Sequence, residues 1–264
     1  FISSAAAAAA AIPRAYIAPT AAAEYTSFVS DMQPVTEKIK ALDGEFYRTA
    51  STVQRNFNDP MQYAYNGLSH YSSNEKQFTK DFLGAMGFRN NGNWAFYGSG
   101  TTVAADAFLG VKYLITDAET VQKPYPCLFE EGKYRVFENP YALSPAFLTD
   151  ESAADAANVL SENPFETQNR IFSTISPEQS GPVYIPAVSS LSVQNMTVIP
   201  GEKQTEYLRT DSAKTGSVSY TVEITEEKPL YFYLPAPYIQ ESELFVNGSS
   251  AGDYLDTLHW QILY

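Results

Sequence analysis

Apolar residues recur at helical spacing near the start of the chain. Over 24–42 they return every three or four positions, which predicts an amphipathic helix. Gly44 is expected to end this helix, and Pro34 to break or restart it, because proline lacks the backbone N–H that a helix needs. The preceding 1–23 are rich in alanine and carry no predicted function. We therefore treat 1–45 as a separate N-terminal segment, alanine-rich and helical.

Helical periodicity returns at several later places. It predicts a helix over 75–86, which Ser73 or Asn74 would cap and Gly87 would end. Three shorter helices are predicted at 106–109, at 150–160 and at 165–172, the last entered through Asn163-Pro164.

Short apolar runs between these helices predict strands. They lie at 46–50, 111–115 and 146–148, with a hairpin formed by 128–129 and 134–137. Helical and strand signals are mixed up to about residue 180. This mixture predicts an α/β domain over 46–180.

The pattern changes after 180–182, where Ser-Gly-Pro interrupts the chain. Between 218 and 224 apolar and polar residues alternate, which is typical of a strand with one buried face. Further short strands are predicted at 230–234 and 244–248. Strands of this length and spacing predict an antiparallel β-sandwich, jelly-roll-like, over 181–264. The fold class expected for the whole chain is α+β.

Composition narrows the classes of partner. The chain has 264 residues and a net charge of −13, which argues against nucleic acid and against docking on anionic lipid through a basic face. Cys127 is the single cysteine and has no internal disulfide partner. No apolar run reaches the roughly 18 residues that a membrane-spanning helix needs. The apolar ending at 260–264 favours a piece of a longer protein.

The usual catalytic and cofactor motifs are missing from the sequence. It contains no zinc signature, no glycine-rich phosphate loop and no Gly-x-Ser-x-Gly elbow, so no cofactor, metal or catalytic residue is predicted. His70 and His259 are the only histidines. His259 is expected to pack in a strand, whereas His70 lies among hydroxyl-bearing residues. It could act as a general base, line a polar groove, or be a plain surface histidine.

A polar and aromatic stretch at 58–73 carries most of the candidate chemistry. It joins a turn signal to three tyrosines, a histidine and a pair of serines. Such residues suit a surface that holds sugar or phosphate by hydrogen bonding and stacking, and they equally suit a plain polar loop. Arg48 would either form a salt bridge or grip a phosphate or carboxylate. The candidate substrate-binding residues are Arg48, Asn58, Asp59, Tyr63, Tyr65, His70, Tyr71, Ser72 and Ser73.

The order of the segments is more informative than any one motif. The series is Phe46-Tyr47-Arg48, Asn58-Asp59, Tyr65-x-Gly67-x-Ser69-x-Tyr71-Ser72-Ser73, a helix ending near Gly87, then 109–115 and 134–145. From residue 46 to the end, this series resembles the soluble extracytoplasmic region of the YfhO family of bacterial membrane proteins. The residues before 46 depart from that resemblance.

The resemblance implies a role at the outer face of a bacterial membrane. Proteins of this type resemble multi-spanning glycosyltransferases that use a lipid-linked sugar donor and are associated with teichoic acid glycosylation in the cell wall. Their catalytic carboxylates are expected in membrane loops, so this chain would be an accessory domain rather than a catalyst. Its expected partners are the membrane-embedded part of the same polypeptide and a glycan, polyol-phosphate acceptor or sugar lipid.

A second class of function stays open at this point. The chain could be a non-catalytic secreted module that binds carbohydrate or has a structural role. In that case the predicted sandwich would present exposed aromatic residues, such as Tyr231, Tyr233 or Trp260, to sugar.

Overall fold

A computed structural model describes most of the chain. The described residues are 22–90, 94–97, 101–121, 123–149, 151, 153–154, 160–161, 163–176, 181–187, 189–201, 205–224, 228–233, 242–254 and 262–263. Some predictions fall outside the described residues: those for 1–21, most of the 150–160 helix, His259 and Trp260.

Helices and strands are mixed up to residue 175, as predicted. The helices are α1 (Ala22–Leu42), α2 (Asp59–Gln62), α3 (Gln77–Ala85), α4 (Val103–Phe108) and α5 (Pro164–Ile175). The strands are β1 (Arg48–Ser51), β2 (His70–Tyr71), β3 (Arg89–Asn90), β4 (Trp94–Phe96), β5 (Val111–Thr116), β6 (Cys127–Glu131) and β7 (Tyr134–Glu138).

A mixed four-stranded sheet organises this part. Its order is β1-β5-β7-β6, with β1 parallel to β5 and the other neighbours antiparallel. Apolar residues of β5 pack on both faces of the sheet. Leu114 belongs to one buried cluster, and Tyr113 and Ile115 belong to the other. A smaller antiparallel sheet, β2-β4-β3, lies in the first half of the chain and was not predicted.

Helix α1 covers one face of the larger sheet. Its residues Met32, Val35 and Ile39 recur at helical spacing and share a buried cluster with Tyr113 and Tyr134 of the sheet.

The predicted break in α1 is wrong, because α1 runs through Pro34 without interruption. Pro34 is exposed, on the side away from the sheet. Proline removes one hydrogen bond from the helix, and packing of the opposite side holds the helix together.

Other element predictions had mixed outcomes. The hairpin of β6 and β7 is confirmed, and so is the helix entered through Asn163, whose side chain accepts hydrogen bonds from the N–H groups of Phe165 and Glu166. The strand predicted at 146–148 is wrong. That segment is irregular, pairs with no strand in the described part of the chain, and leaves Leu148 fully exposed.

The described residues after 181 form antiparallel strand pairs. Four pairs are present: β8 (Ser189–Gln194) with β11 (Ser217–Val222), β9 (Met196–Pro200) with β10 (Thr205–Arg209), β12 (Phe232–Tyr233) with β15 (Ile262–Leu263), and β13 (Ser242–Val246) with β14 (Ser249–Tyr254). Helices and sheets together confirm the α+β class. The jelly-roll arrangement and the domain boundaries at 45 and 180 stay predictions.

Aromatic rings join the later strands to the first part. Phe165 of α5 lies 6.2 Å from the ring of Tyr231 and 6.3 Å from that of Tyr233. Tyr184 is 5.2 Å from Phe165, and the Val103 N–H donates to the Tyr231 hydroxyl at 3.3 Å. Tyr231 and Tyr233 therefore pack against α5.

Candidate functional site

Asp59 organises the polar stretch from within. Its buried carboxylate accepts hydrogen bonds from the Arg55 N–H at 2.6 Å and from the Asn56 side-chain amide at 2.7 Å. Burial raises the pKa of Asp59, and the N–H donors of Arg55 and Asn56 oppose that rise. This carboxylate holds the chain in a tight loop before α2 and is not presented to solvent.

Asn58 brings the two ends of the stretch together. Its side-chain oxygen accepts a hydrogen bond from the Tyr71 N–H at 2.8 Å. Tyr71 is half exposed, Ser72 accepts from the Asn74 N–H, and Ser73 is exposed. We call Tyr71, Ser72 and Ser73 the exposed tip. It offers the Tyr71 ring with its hydroxyl and the Ser73 hydroxyl to solvent, while Ser72 is half-buried.

His70 links β2 to the residues just before α3. Its Nε2 contacts the Glu75 carboxylate, and its Nδ1 lies 3.2 Å from the Leu68 carbonyl. Both ring nitrogens are therefore occupied by contacts within this part of the chain. Neither nitrogen is directed at a hydroxyl nucleophile, so this geometry favours the structural interpretation over a general base.

Tyr63 and Tyr65 point to the inside of the molecule. Both pack in or against the cluster formed by α1 and the sheet. Burial raises the pKa of Tyr63 to about 12 and also raises the pKa of Tyr65. These two tyrosines form part of the core and are not on the surface with Tyr71.

Arg48 joins β1 to the end of α4. Its Nη1 donates to the Leu109 carbonyl at 2.5 Å, and its guanidinium lies 5.4 Å from the ring centre of Phe46. A cation is favourable at a helix C-terminus, where carbonyl groups lack partners. The structure therefore gives Arg48 a local role that neither interpretation of the sequence had included.

A groove beside α1 is a feature that the sequence did not predict. It has a volume of about 390 Å³ and is lined by Glu24, Ser27, Phe28, Gln54, Arg55 and Lys133. Arg55 lies 4.9 Å from the ring centre of Tyr25, and Lys133 pairs with Asp31 at 2.9 Å. The lining residues come from three segments that are far apart in the chain. The one hint of this groove in the sequence was the positive charge of Arg55, just before the 58–73 stretch.

A buried ionic network at α4 was also missed. The Asp106 carboxylate is fully buried and accepts hydrogen bonds from Tyr97, from Tyr125 and, at 2.6 Å, from the Lys123 ammonium. Burial lowers the pKa of Lys123, and Asp106 opposes that change. Thr101 also accepts from Lys123. Each of these groups has a partner, which is the arrangement that a stabilising network requires.

Comparison with known proteins places the chain in a class and then in a family. The class is that of bacterial membrane proteins, although no helix in the described ranges is long and apolar enough to cross a bilayer. The family model "Bacterial membrane protein YfhO" matches 10–261, so the chain belongs to the YfhO family. The match begins well before residue 46, where the sequence resemblance was expected to start. No curated protein and no solved structure matches significantly.

Proposed function

We propose that the chain is an extracytoplasmic accessory domain of a multi-spanning membrane glycosyltransferase. The transferase would use a lipid-linked sugar donor and modify a cell-wall polymer such as teichoic acid. In this proposal the chain contributes no catalytic group. It helps to bind or orient the acceptor glycan beside the membrane-embedded part of the same polypeptide.

The exposed tip carries this proposal. A buried carboxylate, Asp59, and the Asn58 bond to Tyr71 fix a surface that presents one ring and two hydroxyls. Rigid placement of a ring and hydroxyl groups lowers the entropic cost of holding a sugar. Membership of a membrane protein family supports a position beside a membrane.

The test is a glycosyl-transfer assay on the full-length protein in membranes. We expect Tyr71→Ala combined with Ser73→Ala to lower acceptor glycosylation at least about tenfold, because stacking and two hydrogen bonds are worth a few kcal/mol together. Tyr141→Ala is the control, since Tyr141 is equally exposed and lies elsewhere. Unchanged transfer by the double variant would show that the tip does not contact the acceptor.

The carbohydrate-binding module remains the second candidate. The contacts of Tyr231 and Tyr233 with Phe165 occupy part of the rings that such a module would present. This packing is why we rank the module below the accessory domain. Binding of simple sugars that is lost in Tyr233→Ala and retained in Tyr71→Ala would reverse the ranking.

A further inference from the structure

The groove beside α1 has the size of a small-ligand site. Its volume of about 390 Å³ lies within the range of roughly 300–1,000 Å³ that is typical of such sites. Gln54 and Arg55 come from the loop after β1, and Lys133 comes from the turn between β6 and β7. Ser27 and Phe28 come from α1. The fold alone brings these segments together.

Arg55 is held in place from two sides. Its backbone N–H is bound by the buried Asp59 carboxylate at 2.6 Å, and its guanidinium lies 4.9 Å from the ring centre of Tyr25. The Tyr25 hydroxyl in turn accepts a hydrogen bond from Gln62 at 2.6 Å. A guanidinium fixed in this way loses little conformational freedom when it binds a ligand.

Several buried polar atoms at and behind the groove have no hydrogen-bond partner among the described residues. They are the Gln54 side-chain oxygen, the Tyr63 hydroxyl and the Tyr134 hydroxyl. Gln54 lines the groove, the Tyr63 ring lies 6.0 Å from that of Phe28, and Tyr134 lies under Lys133. Lys133 opposes the rise in the pKa of Tyr134 that burial causes. These atoms are shielded from solvent and do not face the open groove, so the polar contacts with a ligand fall to the side chains that line it, such as Arg55, Glu24 and Ser27.

The charges around the groove favour a neutral ligand. Lys133 is already paired with Asp31, and the lining holds both the Glu24 carboxylate and the Arg55 guanidinium. The net charge of −13 adds long-range repulsion against anions. A phosphate group would therefore meet two carboxylates here, whereas sugar hydroxyls can donate to Glu24 and accept from Arg55.

We propose that this groove binds a neutral, hydroxyl-rich sugar unit. Arg55 and Glu24 hydrogen-bond to its hydroxyl groups, and Phe28 contacts an apolar face of the ring. The site is distinct from the exposed tip, and the inference does not depend on transferase activity. The proposed sugar site in the groove is therefore not contradicted if substitutions in the exposed tip leave glycosylation unchanged.

Direct binding by the purified 264-residue chain tests the inference. Methyl glycosides of neutral hexoses are titrated and followed by calorimetry and by NMR shifts of arginine side chains, with glycerol phosphate as the anionic probe. We expect saturable glycoside binding that does not depend on salt concentration, because the glycoside carries no charge that salt could screen. Arg55→Ala should weaken it about tenfold or more, since hydrogen bonds to a charged group are lost.

Arg170→Ala is the matched control, because Arg170 is an exposed arginine that pairs with Glu166 on α5, away from the groove. It should leave glycoside binding unchanged. Circular dichroism checks that each variant is folded, and Arg55→Lys replaces Arg55→Ala if the latter fails this check. The inference is overturned if no neutral glycoside shows saturable binding, or if the Arg55 and Arg170 variants bind glycoside equally well. It is also overturned if glycerol phosphate binds more tightly than the glycosides, with a steep dependence on salt.

Discussion

Single residues near the polar stretch do structural work that their types alone did not reveal. Gly67 lies against the ring of Pro60, at the start of α2. A Cβ atom built on Gly67 would lie 2.4 Å from Pro60 Cγ, closer than real Cβ contacts allow. A side chain at this position would push apart the two ends of the loop that Asp59 and Asn58 hold together.

Gly67→Ala is expected to destabilise the protein by about 1–3 kcal/mol, because the rigid proline ring cannot move aside cheaply. Chemical denaturation measures the free energy of unfolding. Gly44→Ala is the control, since a Cβ at Gly44 would meet nothing within 4 Å. Equal stability of the two variants would show that the contact between Gly67 and Pro60 is not tight in solution.

The buried Asp106 carboxylate gives a second prediction at the residue scale. Asp106→Ala would leave the Lys123 ammonium and two phenol hydroxyls buried without their acceptor, so we expect a loss of about 3–5 kcal/mol. Asp106→Asn keeps one acceptor oxygen and should lose less.

The control for Asp106→Ala is a substitution in an exposed ion pair, which Lys38 forms with Glu131. Glu131→Ala should cost less than about 1 kcal/mol, because water already screens that pair. If both alanine variants lost the same amount in urea denaturation, the buried network would contribute no special stability.

At the scale of elements, α1 shows packing prevailing over local propensity. The proline inside this helix predicts a break, yet the apolar stripe that includes Met32, Val35 and Ile39 is buried against the sheet on the other side. Burial of several large side chains contributes more than the loss of one hydrogen bond costs. The helix therefore stays continuous and forms one wall of the groove.

Pro34→Ala is expected to raise the free energy of unfolding by about 1–2 kcal/mol. Alanine restores a backbone N–H and a better helix propensity, while the freer unfolded chain offsets part of this gain. Thermal and urea denaturation would measure the change, with the exposed Glu37→Ala as a control expected to stay within about 0.5 kcal/mol. A destabilised Pro34→Ala variant would mean that α1 needs a local distortion at this position.

On the scale of the whole molecule, tyrosine burial predicts a loss of stability in alkali. Burial raises the pKa of Tyr63, Tyr113 and Tyr184 to about 12, from an ordinary value of 10.0. The unfolded chain therefore releases these protons at lower pH than the folded chain does. The stabilisation is complete below about pH 10 and is lost as pH rises toward 12.

Urea denaturation at a series of pH values would show the free energy of unfolding falling between pH 10 and 12. Absorbance of the tyrosinate ion should lag behind that of a denatured control and then rise as the protein unfolds. Tyr63→Phe, which cannot ionise, should flatten the decline. If all tyrosines ionised near pH 10 without unfolding, the burial of these rings would be contradicted.

The periodicity of the sequence by itself determined most elements of the fold. It predicted α1, α3, α5, β5, the β6–β7 hairpin and a change of character after residue 180. These elements were predictable because spacing of apolar residues and capping residues such as Asn163 act within a few positions of each other. The strand expected at 146–148 failed since a strand needs a partner, and no local signal reports one.

Only the tertiary structure decided what the polar residues do. The sequence placed Asn58, Asp59, His70 and Tyr71 in one stretch, but hydrogen bonds and burial turned the first three into a scaffold and left Tyr71 exposed. The groove at Arg55 and the network at Asp106 join segments far apart in the chain. Contacts between such distant segments depend on how helices and sheets pack, which the local spacing of residues does not encode.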